Sequence, residues 1–320
     1  MTEASTIVMA TNPERVLVEP SADFVLTRDI DEITERALTY IAIGSAVHFA
    51  GPAGTGKTTL AFHIAARLGR PVTLMHGDDE FGSSDLVGRD SGFRRSKVVD
   101  NYIHSVLKTE ENVNSVWSDN RLTTACQLGH TLVYDEFTRS RPEANNPLLS
   151  VLEERILNIP SLRRNGDGYV RVHPDFRAIF TSNPDEYAGV HRGQDALLDR
   201  LVTIQMGQFD RDSEVAIVAR KSGLAIGDTT AVVDLVRTLR MASETGNQPS
   251  IRASFAIAKV LALRGATANL EDETFRWACR DVLGASIARV TLDGNALPPA
   301  VIDDIVRRFY LEAAAPASKT

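Results

Sequence analysis

Hydrophobic residues form two patterns along the chain: short apolar runs in the first two thirds and helical stripes in the last third. The short runs are SAVHFA, PVTLMHG, TLVYDEF, FRAIFTSNP and LVTIQMG, and helical or long connecting segments separate them. Buried strands joined in this way are typical of a mostly parallel sheet that is covered on both faces. The first two thirds of the chain therefore predict an α/β fold.

Helical spacing of apolar residues precedes the first strand and dominates from about Asp210 onward. The segment RDIDEITERALTYIAIG predicts a helix that leads into the first strand. Glycine ends several of the striped segments after Asp210, which are RDSEVAIVARKSG, TTAVVDLVRTLRMASETG, SIRASFAIAKVLALRG and DETFRWACRDVLGASIARVT. We predict an α/β core over residues 26–209 and a small all-helical lid over residues 210–310. Residues 1–25 are expected to form a flexible leader and residues 311–320 a flexible tail.

The loop after the first strand has the composition of a phosphate-binding loop. GPAGTGKT fits the pattern G-x-x-x-x-G-K-[ST], with the strand before it and the helix after it that the motif requires. Small residues let the backbone wrap an anion, and the positive end of the following helix points at that anion. We expect Lys57 to reach the outer phosphates of ATP and Thr58 to hold Mg²⁺. The predicted cradle consists of Gly51, Pro52, Ala53, Gly54, Thr55, Gly56, Lys57, Thr58 and Thr59.

Two later strands end in polar residues that could act on the same phosphates. TLVYDEF ends in Asp135 and Glu136. Asp135 would support the magnesium shell, and Glu136 would polarise a water for attack on the γ-phosphate. Ser182 and Asn183 end the next strand and could orient that water, although asparagine before proline is also a common turn former.

Several arginines are candidates for contacts with the phosphates. Arg200 follows an apolar helical segment and could meet the charge that develops on the transferred phosphoryl group, and Arg192 and Arg177 compete with it. The structural alternative for Arg200 is an ion pair with the adjacent Asp199. Arg252, near the start of a helix in the second domain, could reach back to the phosphates and couple them to domain closure. Its alternative is a solvated helix arginine.

Composition and charge narrow the class of protein. The chain has 320 residues, 43% of them hydrophobic, and can bury a substantial core. Its apolar runs stay below the length of about 18 residues that crosses a bilayer, and MTEASTIVMA lacks the order of a secretion signal, so we expect a cytoplasmic protein without membrane insertion. The net charge of −7 disfavours nucleic acid as the main partner. Cys126 and Cys279 have no metal-ligand or disulfide spacing and are predicted to be packing residues.

Two connections are longer than usual in the α/β part. The first runs over about residues 78–122, and the second, NIPSLRRNGDGYVRVHPDF, predicts a hairpin around residues 165–168. Long inserts in a compact enzyme are usually functional, although surface loops also tolerate insertion at little cost.

The motifs GPAGTGKT, TLVYDEF, TSNP, LLDR and SIRAS, in this order and followed by helices, resemble those of the AAA+ ATPases and especially of their MoxR branch. The match spans about residues 25–290. The resemblance implies a Walker A motif at residues 51–58 and a Walker B motif at Asp135 and Glu136. It also implies sensor 1 at Asn183, an arginine finger at Arg200 and sensor 2 at Arg252. The MoxR branch carries a helix 2 insert and a hairpin before sensor 1, where the two long connections fall.

Within that branch, two blocks are similar to the gas vesicle protein N family. They are HFAGPAGTGKTTLAFHIAARLGRPVTLMHGDDEFGSSDLVG and VYDEFTRSRPEANNPLLSVLEERIL. Phe137, Thr138 and Arg139 stand where many MoxR proteins have INR, and TRDIDE stands where they often have a glycine–glutamine pair. This resemblance implies an ATP-hydrolysing, chaperone-like homo-oligomeric ring, taken as a hexamer. ATP would lie at the subunit interfaces, and gas vesicle shell or accessory proteins would be the clients.

Other functions stay open from the sequence. A nucleotide-dependent scaffold would bind ATP without turning it over, which the presence of Glu136 disfavours. A general MoxR-type chaperone for another complex, a DNA-dependent motor and a small-molecule kinase are further alternatives. Candidate client contacts are Arg94 and Arg95 in the first long connection and Arg163 and Arg164 in the second.

Overall fold

The secondary structure alternates between short strands and helices up to about residue 210 and is helical afterwards. The computed structural model describes residues 24–100, 108–159, 168–184, 195–242, 248–291 and 299–314. The strands in these ranges are β1 (Ala46–Ala50), β2 (Val72–His76), β3 (Gly88–Asp100), β4 (Lys108–Asp119), β5 (Thr131–Asp135), β6 (Ile156–Asn158), β7 (Tyr169–Arg171), β8 (Arg177–Ser182) and β9 (Leu201–Gln205). The helices are α1 (Arg28–Ala42), α2 (Lys57–Arg67), α3 (Ser83–Val87), α4 (Arg121–Leu128), α5 (Asn146–Glu153), α6 (Asp195–Leu198), α7 (Arg211–Ser222), α8 (Ile226–Ala242), α9 (Ile251–Arg264), α10 (Glu273–Thr291) and α11 (Pro299–Ala314).

A parallel sheet of five described strands, in the order β2-β5-β8-β1-β9, organises the α/β part. These are the strands that the apolar runs predict, so the α/β fold class is confirmed. All residues of β1 and β5 are buried, as expected for strands covered on both faces. The register aligns Ala50 with Ser182 and Gln205, and His76 with Asp135. The carboxyl ends of the strands therefore lie along one edge of the sheet.

Each face of the sheet belongs to a different hydrophobic cluster. Val47 and Val133 lie in one cluster, which α1, α2 and the helices α7 to α11 complete. Leu132 and Tyr134, on alternate positions of β5, lie in the other cluster together with residues of α3, α4 and α5. Because the first cluster is continuous from the sheet to the C-terminal helices, burial of apolar surface holds these two parts together.

Antiparallel strand pairs lie in or next to both long connections. The first contains β3 and β4, which pair with each other from Gly88–Asp119 to Asp100–Lys108 with an irregularity between Asp90 and Gly92. In the second, β7 pairs with β6, which leads into the connection, and the Ile159 N–H donates to Gly168 O at 2.9 Å. The predicted hairpin is thus confirmed at its base, and residues 160–167 lie outside the described residues.

Packed residues extend a few positions past two of the predicted boundaries, and the last helix was not recognised in the sequence. Phe24 and Val25, assigned to the flexible leader, pack against the first cluster, where Phe24 stacks on the His63 ring at a centroid distance of 3.8 Å. The last helix, α11, was missed and continues to Ala314, past the predicted start of the tail at residue 311. Its buried Ile302 and Val306 lie one turn apart, so it is anchored in the same cluster.

Both cysteines are free and fully buried, which confirms that they are packing residues. Cys126 of α4 lies in the second cluster and Cys279 of α10 in the first. Burial raises the pKa of the Cys126 thiol to about 12 and also raises the pKa of Cys279. None of the helices in the described ranges is both long and apolar enough to span a bilayer.

A close backbone contact joins the ends of β1 and β9. The Met206 N–H donates to Ala50 O at 2.7 Å, and a Cβ built on Gly51 would lie 2.1 Å from Met206 O. Glycine is therefore required at position 51 by packing, independently of any ligand.

We expect Gly51→Ala to lower the free energy of unfolding by about 2 kcal/mol or more, because the added methyl group forces the two backbones apart. Gly207→Ala is the matched control, since a Cβ there meets nothing within 4 Å among the described atoms. That control should stay within about 1 kcal/mol of the native chain. Urea unfolding without nucleotide measures both, and equal stability of the two variants would contradict the packing argument.

Candidate nucleotide site

The predicted phosphate loop joins β1 to α2 at the carboxyl edge of the sheet. Gly54 and Gly56 adopt the left-handed conformation, with φ of +82° and +79°. A Cβ on Gly54 would lie 2.5 Å from Ser250 Cβ, and one on Gly56 would lie 3.2 Å from Phe209 Cζ. These two glycines are required both by backbone conformation and by close neighbours.

Lys57 is folded back onto the loop that precedes it. Its Nζ donates to Gly51 O at 2.7 Å and to Pro52 O at 2.6 Å, and the residue is 9% exposed. The Thr55 hydroxyl donates to Pro52 O at 3.0 Å. The ammonium group and this hydroxyl thus fix the curvature of the loop and keep a positive charge inside it.

Asp135 joins the phosphate loop to the neighbouring strands through hydrogen bonds. Thr58 Oγ1 donates to Asp135 Oδ1 at 2.7 Å, and Thr181 Oγ1 of β8 donates to the same oxygen at 2.5 Å. His76 Nδ1 lies 3.5 Å from Asp135 Oδ2. A hydroxyl and a carboxylate oxygen at this spacing are donors that Mg²⁺ accepts alongside substrate phosphates, so the residues fit the ion.

Glu136 has an unusual backbone conformation for a residue other than glycine, with φ 52° and ψ 41°. Its N–H donates to Thr181 Oγ1 at 2.9 Å, and its carboxylate Oε2 lies 2.8 Å from Arg139 Nε. A Cβ on Gly77 would lie 2.0 Å from Glu136 O, so the residue after β2 also approaches this turn closely. Such conformations cost about 1–3 kcal/mol and cluster at functional sites.

A pocket opens beside the phosphate loop and is lined by both polar and apolar side chains. Its polar lining includes Lys57, Thr58, Glu136, Asn183 and Arg252. The Asn183 Oδ1 atom is buried and has no hydrogen-bond partner among the described residues. The apolar lining is contributed by Phe24, Val25, Ile30, Phe209, Ile217 and Phe255. A mixed polar and apolar lining beside a loop of phosphate-binding composition fits a nucleotide.

The Ser182 hydroxyl contacts His48, and Ser182 is not among the described residues that line the pocket. His48 Nε2 lies 2.8 Å from Ser182 Oγ, and His48 Nδ1 lies 3.0 Å from Thr203 Oγ1. Burial, assisted by the charge of Lys57, lowers the pKa of His48 to about 4. This imidazole is therefore neutral near pH 7 and links β1 to the strands on both sides.

The arginine candidates lie in different places. Arg252 is the second residue of α9 and lines the pocket. The described residues that line the pocket do not include Arg200, whose Nη1 donates to Ala196 O at 2.6 Å and whose Nη2 pairs with Glu153. Arg177 begins β8 and donates to the carbonyls of its own turn, and Arg192 lies outside the described residues.

Some lining residues were not found from the sequence. Thr181 precedes the polar pair at the end of β8, and its position on the strand was the available signal. Phe24, Phe209 and Lys221 lie in segments whose approach to the phosphate loop depends on the packing of the whole chain.

The parallel sheet, the phosphate loop and the carboxylates at the end of β5 define an ATPase of the AAA class. In agreement, the AAA domain (dynein-related subfamily) matches residues 46–201. The solved structure of the Thermotoga maritima RuvB Holliday junction branch migration motor has a TM-score of 0.50 and 14% identity, covering 95% of this chain and 93% of that chain. At this identity the likeness supports the fold alone.

Within the AAA class, the chain belongs to the family of the gas vesicle ATPase GvpN. It is similar to GvpN of Ancylobacter aquaticus, with 50% identity over 277 residues, or 87% of this chain and 77% of that protein. It is also similar to GvpN1 of Halobacterium salinarum, with 40% identity over 285 residues, or 88% of this chain and 79% of that protein. The family resemblance and the ATPase activity expected from it are thereby confirmed.

The buried His48 predicts a pH dependence of stability. Its pKa is lower in the folded chain than in the unfolded chain, where it is near 6.5, so the unfolded state binds more protons between about pH 4 and 6.5. Stability should therefore fall as the pH is lowered through this window, by about 2 kcal/mol at pH 5 from this group. Urea unfolding at pH 7 and pH 5 should show a smaller loss of unfolding free energy for His48→Gln than for the native chain. Equal losses in the two proteins would rule out His48 as the cause.

Proposed function

We propose that the pocket binds ATP with Mg²⁺ and that its residues divide the work of hydrolysis. Lys57 and the loop amides hold the phosphates, while Thr58 and Asp135 hold the ion, which neutralises developing charge. Glu136 polarises the attacking water, and Asn183, whose Oδ1 has no protein partner among the described residues, orients it. Arg252 contacts the phosphates from the helical lid.

We further propose that the site is completed by a second copy of the chain. The supporting observation is the position of Arg200, which immediately precedes β9, whereas the phosphate loop follows the carboxyl end of the parallel neighbour β1. A strand of five residues spans about 16 Å, so Arg200 lies at the opposite edge of the sheet from its own phosphate loop. In a closed ring, Arg200 of one subunit would act on ATP of the next.

The biological role follows from the relatives. Proteins at 40–50% identity are named gas vesicle ATPases, and we propose that this ATPase acts in gas vesicle formation in the cytoplasm. A hexameric ring would move its helical lids on hydrolysis and transmit the movement to shell or accessory proteins. The strand pairs β3–β4 and β6–β7 lie in or next to the two long connections and are candidate contact elements, with Arg94 and Arg95 on β3. Arg163 and Arg164 lie outside the described residues.

The alternatives differ in what they require of Glu136 and of a client. A scaffold that does not turn over ATP would have equal activity in the native chain and in Glu136→Gln. A general MoxR-type chaperone would hydrolyse ATP but would not be stimulated by vesicle proteins. The first outcome would overturn the catalytic part of the proposal, and the second would overturn the vesicle part.

The shared site predicts complementation between two inactive variants. Arg200→Ala should lower kcat on the order of a thousandfold, because an arginine finger contributes this much in related phosphoryl transfer. Glu136→Gln should also be inactive. An equal mixture should recover roughly a quarter of the native rate, since half of the sites keep Glu136 and half of those face an intact Arg200. Steady-state phosphate release with Mg²⁺ at low salt measures each protein and the mixture.

In the matched control, Arg200→Ala is mixed with a double variant that carries both Glu136→Gln and Arg200→Ala. Neither protein in this mixture supplies Arg200. No recovery is expected there. Arg177→Ala, measured alone, tests the competing candidate. Recovery in the control, or a native rate for Arg200→Ala, would show that Arg200 does not act across an interface.

A further inference from the structure

A carboxylate with no solvent exposure lies at the centre of the helical part. Glu214 of α7 is 0% exposed, and two arginines of α8 bind its two oxygens. Arg240 Nη1 lies 2.6 Å from Oε1, and Arg237 Nη1 lies 3.2 Å from Oε2. A buried carboxylate is costly unless it is paired and hydrogen-bonded, so this cluster holds α7 and α8 in one arrangement.

The same two arginines also hold two loops by their carbonyl groups. Arg237 Nη1 donates to Phe209 O at 2.9 Å, in the segment that leads from β9 to α7. Arg240 Nε donates to Pro249 O at 2.8 Å, one residue before Ser250, the N-cap of α9. Each guanidinium therefore connects Glu214 to one loop.

Both loops touch the phosphate loop at its two left-handed glycines. Ser250 lies against Gly54, and the Phe209 ring lies against Gly56, close enough that a Cβ on either glycine would be 2.5 Å or 3.2 Å from the neighbour. Phe209 also lines the nucleotide pocket, as does Arg252 two residues after Ser250. A displacement of either loop would therefore change the pocket.

We propose that the Glu214–Arg237–Arg240 cluster positions these two loops on the phosphate loop and so sets the affinity and the rate at the nucleotide site. Arg237 and Arg240 are then positioning residues, which act through Phe209 and through the start of α9. The part of this inference that concerns the rate rests on the proposed role of Arg252. The part that concerns nucleotide affinity does not.

Arg240→Lys separates positioning from structural pairing. A lysine can keep a charge next to Glu214, but it lacks the Nε–H that reaches Pro249 O and the planar fork that binds in two directions. We expect a melting temperature close to native. The Kd for the fluorescent analogue mant-ATP should rise at least about fivefold, and kcat/KM for ATP should fall about ten- to a hundredfold. In an Arg252→Ala background, Arg240→Lys should lower kcat by no more than about twofold further, while the rise in the mant-ATP Kd should remain.

The matched control is Arg211→Lys. Arg211 binds both oxygens of Asp234 at 2.6 and 2.7 Å and joins the same two helices, but this pair is partly exposed. It should leave the mant-ATP Kd and the rate unchanged. If Arg240→Lys behaves like this control in both measurements, the inference is overturned. If Arg252→Ala retains the native rate, the proposed role of Arg252 fails, and the mant-ATP Kd of Arg240→Lys still decides the inference.

A second variant tests the inference if Arg240→Lys fails to fold. Glu214→Met with Arg240→Met removes both buried charges at similar volume, and such replacements are often neutral or stabilising. It should fold and show the same rise in the mant-ATP Kd, because Pro249 O has lost its donor. Native affinity in this folded double variant would likewise overturn the inference.

Discussion

The alignment of parallel strand ends is the constraint on which the nucleotide site depends. Because β1, β5 and β8 end at one edge of the sheet, Thr58, Asp135 and Thr181 meet within hydrogen-bond distance although they are far apart in the chain. Both threonines donate hydrogen bonds to Asp135 Oδ1, and these bonds fix the positions of the strand ends relative to one another. Without that alignment, the loop, the carboxylates and Asn183 would not face one volume.

Close backbone approach has a second effect, which is to connect the site to the rest of the chain. The phosphate loop is in contact with Met206, directly after β9, at Gly51, with Ser250 at Gly54 and with Phe209 at Gly56. Packed interiors transmit displacement, and this loop has neighbours on three sides. A displacement of the loop would therefore affect both the sheet and the C-terminal helices.

Much of this arrangement could be predicted from local patterns. Five apolar runs gave the strands of the sheet, and the spacing of glycines with Lys57 and Thr58 gave the phosphate loop, because these signals lie within short segments. The position of Phe24 and the pairing of Glu214 with Arg240 could not be predicted, since each depends on contacts between distant segments. The pair β3–β4 was missed because its strands, GRDSGFRRSKVVD and KTEENVNSVWSD, are rich in polar residues and lack the apolar runs that mark the strands of the sheet.

The two buried cysteines divide between the two hydrophobic clusters, Cys126 beneath the sheet and Cys279 among the C-terminal helices. Their raised pKa values leave almost no thiolate at neutral pH, so a thiol reagent can react with either residue after local opening. The rate of alkylation at each site would therefore time the opening of one part of the chain. Alkylation of Cys126 would report local opening next to the sheet, and alkylation of Cys279 would report local opening among the C-terminal helices.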